Sequence, residues 1–113
     1  MVDARLRSRQ GRLHYAFFRS TIRSRAKGRR PALVISNFLF NRATGLAIVC
    51  PITNANRNIP FHLPVPGSSS LTGFAMAEQV KSIDYNARKA KFVEKAPTQF
   101  VEDVVAIVDV CIK

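Results

Sequence analysis

Two short stretches carry the residue types from which phosphate chemistry can be built. The first is Gly28-Arg29-Arg30-Pro31-Ala32-Leu33-Val34-Ile35-Ser36. Pro31 has no amide hydrogen and suits the first residue of a strand or an edge position. Ala32 to Ile35 is apolar and rich in β-branched residues, the pattern of a strand buried on both faces. Arg29 and Arg30 therefore stand at the mouth of a rigid strand, where a guanidinium fork can hold a phosphate. Taken alone, an Arg-Arg-Pro favours the plainer reading, two arginines that solvate the end of a loop. The second stretch, Cys50-Pro51-Ile52-Thr53, places a hydroxyl at the end of another buried strand. Were the two strand ends to meet, a hydroxyl donor and a guanidinium would surround one phosphate.

Other chemistries find little support. His14 lies in an irregular arm, and His62 follows Phe61 on a predicted edge strand, where a solvated imidazole is expected. There is no Ser/His/Asp order, paired-carboxylate motif, phosphate-cradling glycine loop or metal-ligand spacing. Glu78 and Asp84 flank Gln-Val-Lys-Ser-Ile and read as structural. Cys50 and Cys111 both sit in apolar surroundings, so they read as buried thiols rather than as a disulfide or a zinc site.

The elements that must position these groups are mainly strands. The first strand runs from Pro31 to about Ser36. Asn37 to Gly45 reads as a connection, with Phe38, Leu39 and Phe40 packing inward. Gly45 to Thr53 is a second buried strand, with Pro51 at a bulge or at its end. Phe61 to Val65, Thr72 to Ala77 and Lys89 to Glu94 read as further strands. Pro97 opens a helix in which Phe100, Val101, Val104, Ile107, Val108 and Cys111 recur at helical spacing. That stripe suits packing across the sheet, dimerisation, or both.

The chain has 113 residues and a net charge of +11. Residues 1–30 hold ten Lys/Arg against Asp3 alone, a charge of +9, whereas residues 31–113 carry +2. A basic arm of this kind favours a polyanion such as nucleic acid. It is too basic and too poor in apolar residues for a secretory signal, although it shares its Arg-rich, acid-poor character with organelle leaders. No apolar run approaches the roughly 20 residues of a membrane span. A cytoplasmic protein of one domain is expected.

Several motifs in sequence order carry a resemblance. Arg29 to Ser36, Phe40-Asn41-Arg42-Ala43-Thr44-Gly45, Cys50-Pro51-Ile52-Thr53, Phe61, and Glu78-Gln79-Val80-Lys81-Ser82-Ile83-Asp84 resemble the MazF/PemK toxins over residues 28–113. The resemblance implies an SH3-like small β-barrel of the MazF/PemK/CcdB kind with a C-terminal helix, working as a homodimer. It implies a toxin of a type II toxin–antitoxin system, a metal-independent and cofactor-free endoribonuclease that cuts single-stranded mRNA at short sequences. Its implied partner is a MazE/PemI-like antitoxin, with DNA reached only through that antitoxin. By motif match, Arg30 is the phosphate-binding catalytic arginine and Thr53 the catalytic hydroxyl, with Arg29, Asn54, Gln79 and Lys81 as RNA contacts. The ribose 2′-OH then attacks phosphorus, leaving a 2′,3′-cyclic phosphate and a 5′-OH.

Residues 1–27 depart from the family. Its members begin with a hydrophobic strand and a loop ending Gly-x-Glu-Gln-x-Gly, and Arg25 stands where the loop's glutamate should be. An Arg cannot accept a proton as a carboxylate does. Back-translating Arg9 through Ala26 with freely chosen synonymous codons, and reading from the second base, restores a family-like strand and loop ending Gly-Ala-Glu-Gln. The expectation is a frameshifted N-terminus, with Leu13 to Phe18 as a poor substitute strand and catalysis weak or absent. The alternatives are a catalytically impaired homologue that still binds antitoxin or RNA, and a toxin of the same fold with a protein target.

Overall fold

The computed structural model describes residues 15–21 and 29–113. The elements are β1 (Tyr15–Thr21), β2 (Arg29–Val34), α1 (Phe38–Thr44), β3 (Leu46–Thr53), β4 (His62–Pro64), β5 (Phe74–Met76), β6 (Lys81–Asp84), β7 (Lys91–Ala96) and α2 (Thr98–Ile112). A single 3-10 turn, Ala77–Gln79, joins β5 to β6. The sheet runs β4-β5-β3-β2-β1-β7, with β6 also paired to β3. This is the mainly-β fold with a C-terminal helix that the sequence implies. The sheet is not closed, since no ladder among the described residues joins β4 to β7.

Two prolines mark where strands change partners. Ile35 N–H donates to Ile48 O at 2.9 Å. Strand alternation therefore turns the missing donor of Pro31 toward β3. Pro31 is the third residue of β2, not its first, and is paired to Arg19 on the β1 side. It is tolerated because the β2–β3 ladder stops at Ala32↔Pro51. Pro51 turns its own missing donor to the other edge of β3. There β3 leaves β6, after Val49↔Lys81, and takes up β5 at Ile52↔Ala75.

The described sheet has two apolar faces. Leu33, Cys50 and Ile52 face α2 and join Phe17, Leu71, Ala75, Phe100, Val101 and Val104 in the larger cluster. Ala32, Val34, Ala47 and Val49 face the other way, against Ile83, Tyr85 and Ala90. Burying a side chain such as Leu33 contributes about 1.5–3 kcal/mol. Behind the second face, Ile48 N–H donates to Ser36 Oγ at 2.8 Å, and Ser36 Oγ donates to Asn41 Oδ1. The Tyr85 hydroxyl donates to Asn41 O at 2.8 Å, so this buried polar hub is hydrogen-bonded.

Several expectations are corrected. Residues 38–44 form a helix, because Asn37 caps it by accepting from Phe40 N–H at 2.9 Å and Gly45 ends it at φ +73°. One face of that helix meets solvent, so Phe38 is buried while Leu39 is 65% exposed. Cys111 is exposed and Cys50 buried. Cys111 lies on the helical stripe, but the buried part of that stripe ends at Val108 and the last turn of α2 overhangs the core. Pro97 is the N-cap of α2, one residue before the helix. A strand does form within the N-terminal region: β1 lies between β2 and β7, with Phe17 fully buried. Residues 1–14 and 22–28, on which most of the frameshift reading falls, with His14 and Arg25, lie outside the described residues.

Candidate active site

The register of β2 and β3 assembles the site. Ala32 pairs with Pro51, Arg30 lies two residues before the first, and Thr53 two residues after the second. The ladder ends at that pair, so Arg30 and Thr53 lie just past it at the same end of the two strands, and alternation along each strand turns both to one face. The face is the one away from α2, shared with Ala32 and Val49. Arg30 is exposed and forms no ion pair with another described residue. Its guanidinium is thus presented to solvent, on a backbone that β1 holds through Ser20↔Arg30.

Thr53 is half-buried, and its Oγ1 accepts from Ala55 N–H at 3.2 Å. Accepting there leaves the hydroxyl proton available to donate. Next to it, Asn54 is exposed, and its Oδ1 accepts from Thr72 Oγ1 at 3.1 Å. That bond turns the amide N–H donors of Asn54 to other partners.

Lys81 is exposed and pairs with Val49, so it shares the face of Arg30 and Thr53. It lies four β3 positions short of Thr53, about 13 Å of extended strand, so the two residues would meet different groups of an extended ligand. Gln79 is exposed in the 3-10 turn that joins β5 to β6, both of which pair with β3. Arg29 is placed through its backbone, opposite Thr21. The structure thus brings Arg30, Thr53 and Asn54 to one sheet end, with Lys81 and Gln79 following along the outer edge of β3.

His62 is not solvated. Its side chain is 4% exposed, and Nε2 lies 2.8 Å from Oε2 of Glu78. Burial pushes the Glu78 carboxyl up, but hydrogen bonds from His62 and from its own backbone, the charge of His62 and a bond from Gln79 outweigh it and hold it below its usual range. Burial, with Glu78 nearby, pushes the Cys50 thiol up to about 12. Nothing local in the sequence pairs His62 with Glu78, since 16 residues separate them. Asp84 is structural as expected, accepting from the N–H groups of Asn86 and Ala87 at its turn.

Gly73, which the sequence reading passed over, lies against the site. Its φ is +122°, and a Cβ there would come within 2.5 Å of Thr53 O and 3.1 Å of Asn54 Oδ1. Only glycine fits this approach. A Gly between Thr72 and the apolar Phe74 was the available signal.

This arrangement can hold a phosphate between a fixed cation and a hydroxyl donor. The family model described as PemK-like, MazF-like toxin of type II toxin-antitoxin system matches residues 9–112, beginning well before Gly28. The endoribonuclease toxin MazF of Escherichia coli (strain K12) is 39% identical over 80 residues, which is 71% of each chain. The endoribonuclease PemK of Escherichia coli is 33% identical over 82 residues, covering 69% of this chain and 62% of its own. A crystal structure of MazE-MazF (Form-III) from Deinococcus radiodurans superposes with a TM-score of 0.79 at 29% identity, over 85% of this chain and 91% of that one. The chain therefore belongs to the PemK-like, MazF-like toxins of type II toxin–antitoxin systems.

Proposed function

We propose that this chain is a metal-independent, cytoplasmic endoribonuclease that cuts single-stranded mRNA at Arg30 and Thr53, and that a MazE/PemI-like antitoxin neutralises it. The observation that supports this reading most is the β2–β3 ladder, whose last pair, Ala32↔Pro51, leaves Arg30 and Thr53 two residues beyond it at the same end of the two strands. In the reaction the ribose 2′-OH loses its proton and its oxygen bonds to phosphorus. The phosphorus–5′-oxygen bond breaks, and the departing oxygen gains a proton. The products are a 2′,3′-cyclic phosphate and a 5′-OH. Arg30 stabilises the charge that grows on the phosphoryl oxygens. Thr53 donates its hydroxyl proton to one of those oxygens and holds the phosphorus in line. Asn54, Gln79, Lys81 and Arg29 bind the flanking nucleotides. The working unit is a homodimer.

The test is incubation of the full chain with a long single-stranded RNA in EDTA, with mapping of new ends. Discrete cuts with 2′,3′-cyclic phosphate termini, lost in Arg30→Ala, are expected. Undiminished cutting by that variant would remove Arg30 from the mechanism. A second reading, an impaired homologue that binds RNA or antitoxin without cutting, is favoured by Arg25 at the place of the loop glutamate. It predicts salt-sensitive RNA binding and no scission.

A further inference from the structure

Glu94 is a β7 residue whose carboxylate is taken up by a loop, not by its own strand. It accepts from Ser69 Oγ at 2.7 Å, from Ser70 N–H at 3.0 Å and from Ser70 Oγ. These bonds join β7 to the β4–β5 loop, across the gap that the sheet ladder leaves open. Ser69 Oγ also accepts from Leu71 N–H at 3.2 Å, and Leu71 is buried in the larger core with Val65 and Val93 packed against it.

The same loop touches the active-site end of β3 in its next two residues. Thr72 Oγ1 donates to Asn54 Oδ1 at 3.1 Å. Gly73 packs against Thr53 O so closely that no Cβ fits, and its own carbonyl accepts from Val65 N–H at 2.8 Å. Glu94, the Ser69–Gly73 segment and Thr53–Asn54 are therefore one contiguous set of contacts.

We propose that Glu94 is a positioning residue for the Thr53–Asn54 end of β3, which it holds in place through the Ser69–Gly73 loop. The role in cleavage rests on the ribonuclease reading above; the mechanical link does not. β4 and β5 have three residues each, too few to form a stable hairpin alone. Pro66-Gly67-Ser68-Ser69-Ser70 has the composition of a loop with little order of its own. A carboxylate accepting three donors supplies that order, and the Ser70 and Ser69 hydroxyls hold it below its usual range so that it stays ionised near neutrality. Displacing a reacting group by about 1 Å can cost on the order of a hundredfold in rate, so a link of this kind acts on catalysis without touching substrate.

The experiment compares the full chain with Glu94→Gln, which keeps shape but not charge. Amide hydrogen exchange is expected to speed up about tenfold at Ser70 and at Ala55, whose N–H is bonded to Thr53, and not at Ile48. Unchanged exchange at Ala55 overturns the proposal, whether or not the chain cuts RNA. In RNA cleavage, Glu94→Gln is expected to lower kcat roughly tenfold with a smaller rise in KM through Asn54, and its effect on kcat is expected to vanish once Thr53→Val is present. Fully additive effects would place the action of Glu94 elsewhere and overturn the catalytic role. Ser70→Ala removes one of the three donors, the Ser70 hydroxyl, and should give the same pattern at smaller amplitude if Glu94→Gln folds poorly. A wild-type chain that leaves RNA intact counts against the ribonuclease reading alone, since exchange at Ala55 still decides the link.

Discussion

The two faces of β2 and β3 are made from alternate residues of the same strands and have opposite fates. Leu33, Cys50 and Ile52 turn toward α2 and are closed off in the larger core. Ala32, Val34 and Val49 turn away into a smaller cluster, and that face runs out past its apolar residues to Arg30 and Thr53. A period of two lets a single pair of strands anchor a fold and display a charged site without compromise between the tasks. The division also implies that damage to one face should be separable from damage to the other.

The largest expected effect breaks the anchoring face. Leu33→Ala removes a fully buried side chain and should cost about 2–5 kcal/mol of stability, read from the shift of a denaturant midpoint, with RNA cleavage by the remaining folded chain unchanged. On the displayed face, Thr53→Val should leave that midpoint within about 0.5 kcal/mol and slow cleavage roughly 10- to 100-fold, the worth of a hydrogen bond to a charged group. Lys81→Ala should instead weaken RNA binding and reduce the slope of log affinity against log salt by about 0.7, with little change in kcat.

Two smaller effects sharpen the contrast. Glu78 and Glu94 both titrate below their ordinary value of 4.5 in the folded chain. Their contribution to stability is present above that pH and is lost as pH falls through their folded values. Thermal midpoints should decline below about pH 4.5, and Glu94→Gln should flatten part of that decline. For the thiols, a reagent added to the native chain near pH 8 should label one equivalent quickly. Cys111 is exposed, whereas Cys50 is buried and held protonated with its thiol pushed up to about 12. Cys111→Ser should abolish the fast phase, and rapid loss of both thiols in that assay would show that the anchoring face opens readily.

Much of the fold was legible because the signals are local. The apolar runs of β2 and β3 and the stripe of α2 read directly as elements. The helix α1 did not, because its pattern spans only two turns and its caps, Asn37 and Gly45, also suit a turn. The stripe of α2 was read one turn too far, since periodicity says which residues share a face and not where the partner surface ends. Arg30 and Thr53 were recognisable within motifs, whereas Thr72, Gly73 and Glu94 carry no motif and take their meaning from chain segments that meet only after folding.

The sequence by itself determined the residue types at the site, the alternation that turns Arg30 and Leu33 to opposite faces, and the prolines that withhold a ladder hydrogen bond at two places. These are properties of backbone sterics and of hydrogen bonds that Pro31 and Pro51 cannot make. Tertiary structure alone decided that the two strand ends lie at the same end of the β2–β3 ladder, that the His62 side chain is buried on Glu78, and that a carboxylate on β7 spans the open side of the sheet. Register and loop closure depend on how distant segments pack together, and no local run of residues encodes a contact with a partner 25 positions away.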